Sequence, residues 1–206
     1  KKRAEVLGIM TQSKKGLCVA GTHGKTSTSA MTAHLMHQSA QDCNAFLGGI
    51  TKNYGTNYLL SETSDYVVIE ADEFDRSFHH LRPFATAITS ADPDHLDIYG
   101  TEEAYLESFA HYTSLIQPGG ALVTHRGLRF EERLAPGVRR YDYSRTEGDF
   151  HAENIRIGGG RIVFDLVSPI EPIRDIELGV PVSINIDNGI AACALAQIAG
   201  VDGESI

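Results

Sequence analysis

The chain has 206 residues, of which 42% are hydrophobic and 22% charged, a composition that excludes disorder as its main state and fits one large globular domain or two small ones. Its 18 basic and 27 acidic residues give a net charge of −9, which argues against a nucleic acid or an anionic membrane as a partner. The three cysteines are widely spaced and suggest neither a disulfide framework nor a zinc site. Free cysteines and the lack of a recognisable targeting signal favour the cytoplasm.

Short apolar runs alternate with helical patterns through residues 1–136. The predicted strands cover 16–20, 43–47, 66–70, 84–89 and 121–124, and the predicted helices cover about 27–38 and 101–116. Thr101 is the expected N-cap of the second helix, because acidic residues fill the turn that follows it. This alternation predicts an α/β fold with a mostly parallel sheet and helices on both faces, as in P-loop NTPases.

The pattern changes between residues 137 and 182. Short strands are predicted over 138–143, 150–157, 161–167 and 173–178, with a hairpin turn at 158–160. We therefore predict a small antiparallel β-appendage on one edge of the α/β core. Residues 183–206 return to the core through a helix predicted over 187–199.

The strongest signal for chemistry is the segment Gly21-Thr22-His23-Gly24-Lys25-Thr26, here called the phosphate loop. It follows a predicted strand and opens a helix, so backbone N–H groups and the helix N-terminus can surround phosphates. Lys25 is predicted to bridge the β- and γ-phosphates, and the Thr26 hydroxyl to bind Mg²⁺. The loop is shortened, because Val19 stands where the full motif has a glycine. A glycine-rich turn with a surface lysine is the purely structural alternative.

Two polar segments follow later strands of the predicted sheet. The acidic loop, Glu70–Asp75, follows the third strand, and the Asp-His segment, Ala91–Asp97, follows the fourth. Since ligands of parallel sheets bind beyond the carboxyl ends of the strands, we expect Thr26, Glu70 and His95 to meet in one cleft. A hydroxyl, a carboxylate and an imidazole can share divalent cations bound to ATP. The alternative is a solvated acidic loop, with His95 capping a helix.

Three motifs, in this order and spacing, resemble those of the Mur ligases of peptidoglycan synthesis. They are Gly-Thr-His-Gly-Lys-Thr from Gly21, Glu-Ala-Asp-Glu-x-Asp from Glu70, and Asp-x-Asp-His-Leu-Asp-x-Tyr-Gly from Asp92. The resemblance covers nearly the whole chain as the central ATPase domain, residues 1–206, of a three-domain protein. We expect the N-terminal UDP-substrate domain and the C-terminal amino-acid domain to be absent, because the chain starts without Met.

The resemblance implies a set of site residues. The ATP-binding residues would be Gly21, Thr22, His23, Gly24, Lys25, Thr26 and Ser27, with Asn185 and Asn188 contacting adenine. The Mg²⁺ ligands would be Thr26, Glu70 and His95, and Lys25 and His95 would be catalytic. The adenine motif departs from the family at Ile184, where many members have His.

The resemblance also implies an activity. The whole enzyme would be an ATP-dependent amide ligase that joins L-alanine to UDP-N-acetylmuramate through an acyl phosphate, in the cytoplasm, during synthesis of the cell wall. We expect the isolated domain to be inactive. The alternatives are a ligase that recycles murein tripeptide onto UDP-N-acetylmuramate, a P-loop NTPase outside the family, and a nucleotide-binding module without activity.

Overall fold

The computed structural model of the protein describes residues 3–206, so the predicted start of the core at residues 1 and 2 lies outside it. The strands, in chain order, are β1 (Lys15–Ala20), β2 (Asn44–Phe46), β3 (Tyr58–Leu59), β4 (Tyr66–Glu70), β5 (Pro83–Ile88), β6 (Ala121–His125), β7 (Arg139–Tyr143), β8 (His151–Gly158), β9 (Arg161–Val167) and β10 (Ile173–Leu178). The α-helices are α1 (Arg3–Ser13), α2 (Lys25–Gln38), α3 (Leu96–Tyr99), α4 (Glu102–Thr113) and α5 (Ile184–Ile198), with 3-10 segments at Phe74–His80 and Gly203–Ser205.

The main sheet has seven strands in the order β3-β2-β4-β1-β5-β6-β7. All neighbouring pairs are parallel except the short β3, which runs antiparallel to β2. Strand β1 lies between β4 and β5, with Val19 opposite Glu70 and Ala20 opposite Ile88. The loops that follow these three strands therefore begin side by side at the carboxyl ends of the parallel strands. The predicted α/β class with a mostly parallel sheet is confirmed.

Helices cover both faces of the sheet, because successive side chains of a strand point to opposite sides. Leu17 and Val19 belong to a hydrophobic cluster with α2 and α5. Cys18 and Ala20, on the same strand, belong to a second cluster with α1, α4 and the 3-10 segment. Strand β1 is thus apolar on both faces, which explains why its sequence is a continuous apolar run.

The prediction for residues 138–143 is wrong. Strand β7 does not belong to the appendage but is the edge strand of the main sheet, parallel to β6, with His125 opposite Tyr143. Its side chains are mostly exposed or half-buried, since helices cover an edge strand less completely than a central one. Strand β7 therefore carries charged residues beside its tyrosines and lacks the apolar run that marks the central parallel strands.

A small antiparallel sheet, in the order β10-β9-β8, follows as predicted. Gly159 and Gly160 form the turn between β8 and β9, with φ of +56° and +75°, so the predicted hairpin is confirmed. Phe164 and Leu178 of this small sheet pack into the same cluster as Ile190 of α5. Helix α5 is consequently enclosed between the two sheets and is almost entirely buried.

The three predicted helices are confirmed as α2, α4 and α5, whereas α1 and the short α3 were not predicted. Thr101 caps α4, since its side chain accepts a hydrogen bond from the N–H of Ala104. Helix α1 buries Leu7, Gly8 and Thr11 but leaves Val6 and Ile9 exposed, so its apolar residues do not follow one face and leave little periodicity to detect. Along residues 3–206, no helix is both long enough and apolar enough to cross a bilayer.

We expect the three thiols to be unreactive in the native protein. Cys18, Cys43 and Cys193 are free and buried, and burial raises the pKa of each thiol to about 12. Alkylation with iodoacetamide at pH 8, followed by peptide mass spectrometry, should modify them only after unfolding in denaturant. Stoichiometric modification under native conditions would contradict this packing.

Candidate functional site

The phosphate loop curls tightly at two glycines. Gly21 and Gly24 have φ of +136° and +81°, a region that side chains rarely adopt. A Cβ atom at Gly21 would collide with Thr89, and one at Gly24 would lie 2.7 Å from Asn188 Oδ1. Gly24 precedes α2 and caps it without a side chain, so the first N–H groups of the helix are left to water or to an anion.

The segment after β5 anchors this loop. Thr22 Oγ1 donates to the carbonyl of Asp92 at 2.7 Å and lies 2.8 Å from Tyr105 OH. The N–H of His23 donates to Ser90 Oγ at 2.8 Å, and Thr89 Oγ1 donates to the carbonyl of His23. The Thr22 side chain and the His23 backbone therefore fix the loop against its neighbour, a contact that the motif alone did not indicate.

Lys25 is paired with a buried acid. Its Nζ donates to the carbonyl of Gly21 at 2.7 Å and to Glu73 Oε1 at 3.1 Å, and it lies 2.8 Å from Glu73 Oε2. The Lys25 side chain is 15% exposed and that of Glu73 is 2% exposed. The sequence prediction did not single out Glu73, because nothing in the acidic loop distinguishes a buried carboxylate from solvated ones.

The structure brings Thr26 and Glu70 together. Thr26 Oγ1 donates to Glu70 Oε1 at 3.1 Å, and the N–H of Gly48 donates to Glu70 Oε2 at 2.9 Å. A side chain at Gly48 would collide with this carboxylate, so the loop after β2 approaches it as closely as glycine allows. A hydroxyl and a carboxylate side by side are hard oxygen donors of the kind that Mg²⁺ prefers, and they fit such an ion.

His95 is the residue immediately before α3 and lies close to the acidic loop. Its ring meets that of Phe74 edge-on at 5.2 Å, and its Nε2 is 3.8 Å from Asp94 Oδ2. Its backbone occupies the N-cap position of α3 at φ +53°, but its side chain makes no capping bond. Within the part of the chain that is described, no three His, Cys, Asp or Glu side chains cluster tightly enough to hold a metal alone. A cation there would need oxygen ligands from a bound phosphate or water.

The two asparagines predicted for adenine lie under the phosphate loop, where their amides are engaged. Asn188 Oδ1 accepts from Thr28 Oγ1 at 3.3 Å, and its Nδ2 donates to Asn185 Oδ1 at 3.2 Å. Asn185 Nδ2 in turn donates to the carbonyl of Val180 at 3.2 Å. Asn188 also borders a cleft beside the phosphate loop, whereas Asn185 does not line it. Ser27 is exposed on the first turn of α2.

A cleft of about 400 Å³ opens beside the phosphate loop. It is bounded by the loop itself, the segment after β5, the end of β6 and the start of α5, and the residues that line it include His23, Gly24, Ser90, Leu128, Ile184 and Asn188. Ile184 and Leu128 give part of its wall an apolar surface. The cleft is therefore continuous with the loop and has room for a planar, partly apolar group next to phosphates.

Charged residues that the sequence prediction missed form another part of this wall. His125 at the end of β6 lies 3.7 Å from Asp187, and Arg145 Nη2 donates to Asp187 at 2.6 Å. The Asp187 carboxylate raises the pKa of His125, although burial opposes it. Burial also raises the pKa of Asp187, but His125 and Arg145 outweigh it and leave that pKa below its usual range.

Relatives with known names match the whole chain. It is 68% identical to the UDP-N-acetylmuramate–L-alanine ligase of Phocaeicola vulgatus and 63% identical to that of Parabacteroides distasonis. These alignments cover 100% of this chain but 45% of each relative. The chain therefore spans less than half the length of the curated relatives it matches.

Solved structures share the fold. The UDP-N-acetylmuramate:L-alanyl-γ-D-glutamyl-meso-diaminopimelate ligase of Neisseria meningitides superposes with a TM-score of 0.84 at 23% identity, over 98% of this chain and 68% of that one. The UDP-N-acetylmuramate–alanine ligase of Thermotoga maritima superposes with a TM-score of 0.79 at 24% identity, over 98% of this chain and 46% of that one. Residues 19–196 match the Mur ligase middle domain family. The expected resemblance is confirmed, and the chain belongs to the Mur ligase middle domain family.

Proposed function

We propose that this chain is the ATP-binding middle domain of an ATP-dependent ligase that joins L-alanine to UDP-N-acetylmuramate. The proposal rests on one arrangement: Lys25, bonded to Gly21, and Thr26, paired with Glu70, directly follow a glycine-rich loop whose His23 and Gly24 line a cleft. That arrangement supplies a cation, hard oxygen donors and free N–H groups at one place, as a nucleotide triphosphate requires. The names of the relatives that match the whole chain support the choice of substrates.

The triphosphate would lie along the phosphate loop. Backbone N–H groups between Gly21 and Thr26 would bind its oxygens, and Lys25 would contact the β- and γ-phosphates. The adenosine would occupy the neighbouring cleft, with its base against Ile184. Asn188 would act on adenine mainly by shaping the cleft, because both ends of its amide are already bonded.

Mg²⁺ fits the oxygen donors of Thr26 and Glu70, which would hold it beside the β- and γ-phosphates. When bound, it would supply positive charge that offsets both the triphosphate and the carboxylates of the acidic loop. His95, on the neighbouring segment, is our proposed ligand for a second Mg²⁺. Its contact with Phe74 would keep the imidazole close to the acidic loop.

The proposed reaction has two steps. The carboxylate of UDP-N-acetylmuramate attacks the γ-phosphorus of ATP, which breaks the bond to the bridging oxygen and gives an acyl phosphate and ADP. The amine of L-alanine then attacks the acyl carbon, phosphate leaves, and the nitrogen loses a proton. In both steps the residues of this chain orient phosphoryl oxygens and offset their charge, which is how proteins accelerate phosphoryl transfer.

The acceptor and the amino acid would be bound by other parts of the whole enzyme. Because relatives are more than twice as long as this chain, we propose that the UDP-substrate and amino-acid domains flank it and that the domain alone is inactive. Its buried, reduced thiols and its use of ATP support a place in the cytoplasm.

We expect Thr26→Val to abolish most of the ligase activity while leaving the fold intact. The exchange keeps the shape of the side chain but removes the hydroxyl that pairs with Glu70, so the rate should fall about 100-fold or more and the Mg²⁺ requirement should rise. The measurement is release of phosphate by the full-length enzyme with ATP, UDP-N-acetylmuramate and L-alanine, across a Mg²⁺ titration.

Thr63→Val is the matched control for Thr26→Val. Thr63 is an exposed threonine just before β4, so it lies at the amino ends of the parallel strands, whereas the phosphate loop lies at their carboxyl ends. Its exchange should leave the rate unchanged. Near-native turnover of Thr26→Val at low Mg²⁺, or the lack of ATP-dependent ligation by the native enzyme, would refute the proposed function.

A second expected outcome concerns the wall of the cleft. Asp187→Asn removes the carboxylate that raises the pKa of His125, so that pKa should fall toward or below its ordinary value. In the native protein the His125 pKa is higher when folded than when unfolded. Its contribution to stability is therefore full below pH 6.5 and is lost as pH rises through the folded pKa.

NMR titration of the His125 imidazole in native protein and in Asp187→Asn measures this directly. His79, whose Nε2 lies 2.9 Å from the carbonyl of Ser108, is the internal reference, because burial lowers its pKa and Asp187 does not act on it, so that pKa should be the same in both proteins. An unchanged His125 midpoint in the variant would show that Asp187 does not act on it.

A further inference from the structure

Glu73 stands apart from the other acids of the protein. Across residues 3–206 it is the one charged side chain that is buried, with 2% of its surface exposed. Its Oε2 lies 2.8 Å from Lys25 Nζ but has no well-aligned hydrogen bond. Burying a carboxylate costs free energy unless a cation stays beside it. Because the Glu73 carboxylate is buried, separating it from Lys25 would cost free energy, so the ion pair is kept.

The donors of Lys25 are only partly used. An ammonium has three N–H donors. The carbonyl of Gly21 accepts one at 2.7 Å and the carboxylate of Glu73 accepts another. One donor remains for a ligand. A phosphate can therefore be bound by Lys25 without breaking the ion pair to Glu73.

The backbone of Glu73 joins the same pair to the Asp-His segment. Tyr99 OH donates to the carbonyl of Glu73, and the Arg76 guanidinium lies 4.6 Å from the Tyr99 ring. Phe74, the next residue, meets His95 edge-on. Glu73 thus fixes Lys25 through its side chain and, through its backbone carbonyl, accepts a hydrogen bond from Tyr99 of α3, the helix that begins directly after His95.

We propose that Glu73 is the positioning residue of the phosphate site: it keeps Lys25 fixed with one free donor and lowers the net charge that Lys25 offers to the substrate. This inference rests on the proposed function. Without Glu73 the ammonium would move fully onto the γ-phosphate of bound ATP. Such a contact strengthens the ground state more than the transition state, so binding would tighten while turnover would slow.

The test is Glu73→Gln in the full-length enzyme, with KM for ATP and kcat measured separately. Glutamine keeps the shape and an acceptor oxygen but removes the charge. We expect KM for ATP to fall about fivefold and kcat to fall about tenfold, because charge-assisted hydrogen bonds are about twice as strong as neutral ones. A residue that only stabilises the fold would lower the melting temperature and leave KM for ATP unchanged or raised. Any result other than a joint decrease of KM and kcat contradicts the proposal.

Glu73→Asp, measured in parallel, decides the question if Glu73→Gln does not fold. It keeps the charge but withdraws the carboxylate by one methylene, so kcat should fall while KM for ATP does not decrease. A native kcat in this variant would overturn the proposal.

Asp75→Asn is the matched control. It removes one negative charge two residues further along the acidic loop, at an exposed position with φ +49°, which asparagine tolerates. Native KM and kcat are expected, and an effect equal to that of Glu73→Gln would mean that general charge, not positioning, is responsible. If the native enzyme lacks ATP-dependent ligation, the proposed function and this inference both fail. If the native enzyme is active and Glu73→Gln has the same KM for ATP and the same kcat, only this inference fails.

Discussion

The site depends on the central position of β1. This strand is buried on both faces and hydrogen-bonded on both edges, so its carboxyl end cannot shift without disturbing β4 and β5 together. The phosphate loop begins where β1 ends, and the acidic loop and the Asp-His segment follow its two neighbours. The packing of one apolar strand therefore sets the distances among groups that are far apart in sequence.

The phosphate loop carries local positive charge although the protein as a whole is negatively charged. To bind the triphosphate that we propose as its ligand, a chain with a net charge of −9 needs positive potential at the site itself. Helix N–H groups and Lys25 provide positive potential. The carboxylate of Glu73 pairs with Lys25, and that of Glu70 accepts a hydrogen bond from Thr26. In the function that we propose, these carboxylates would make binding dependent on added cations, because a triphosphate and two carboxylates repel one another at low dielectric.

Much of the fold could be predicted from the sequence, because buried parallel strands are apolar runs and the glycine-rich loop has a known place after the first of them. The pairing of Thr26 with Glu70 followed from the rule that strand ends meet at one edge. Strand β7 was assigned to the wrong sheet, since a partly buried edge strand lacks the apolar run of a central parallel strand. The burial of Glu73 and the meeting of His125 with Asp187 depend on how distant elements pack, which local patterns do not record.

The enclosure of α5 between the two sheets has a consequence for how this family can vary. The helix begins at the cleft, where Asn188 lies against Gly24 of the phosphate loop, and along its length it packs against the side chains of the small sheet. A tightly packed helix with one end beside the loop and one side against the small sheet passes a change of side-chain volume from one to the other. Substitutions in the small sheet can therefore shift the phosphate loop, and with it the nucleotide affinity that we propose for the site, although they do not line the cleft.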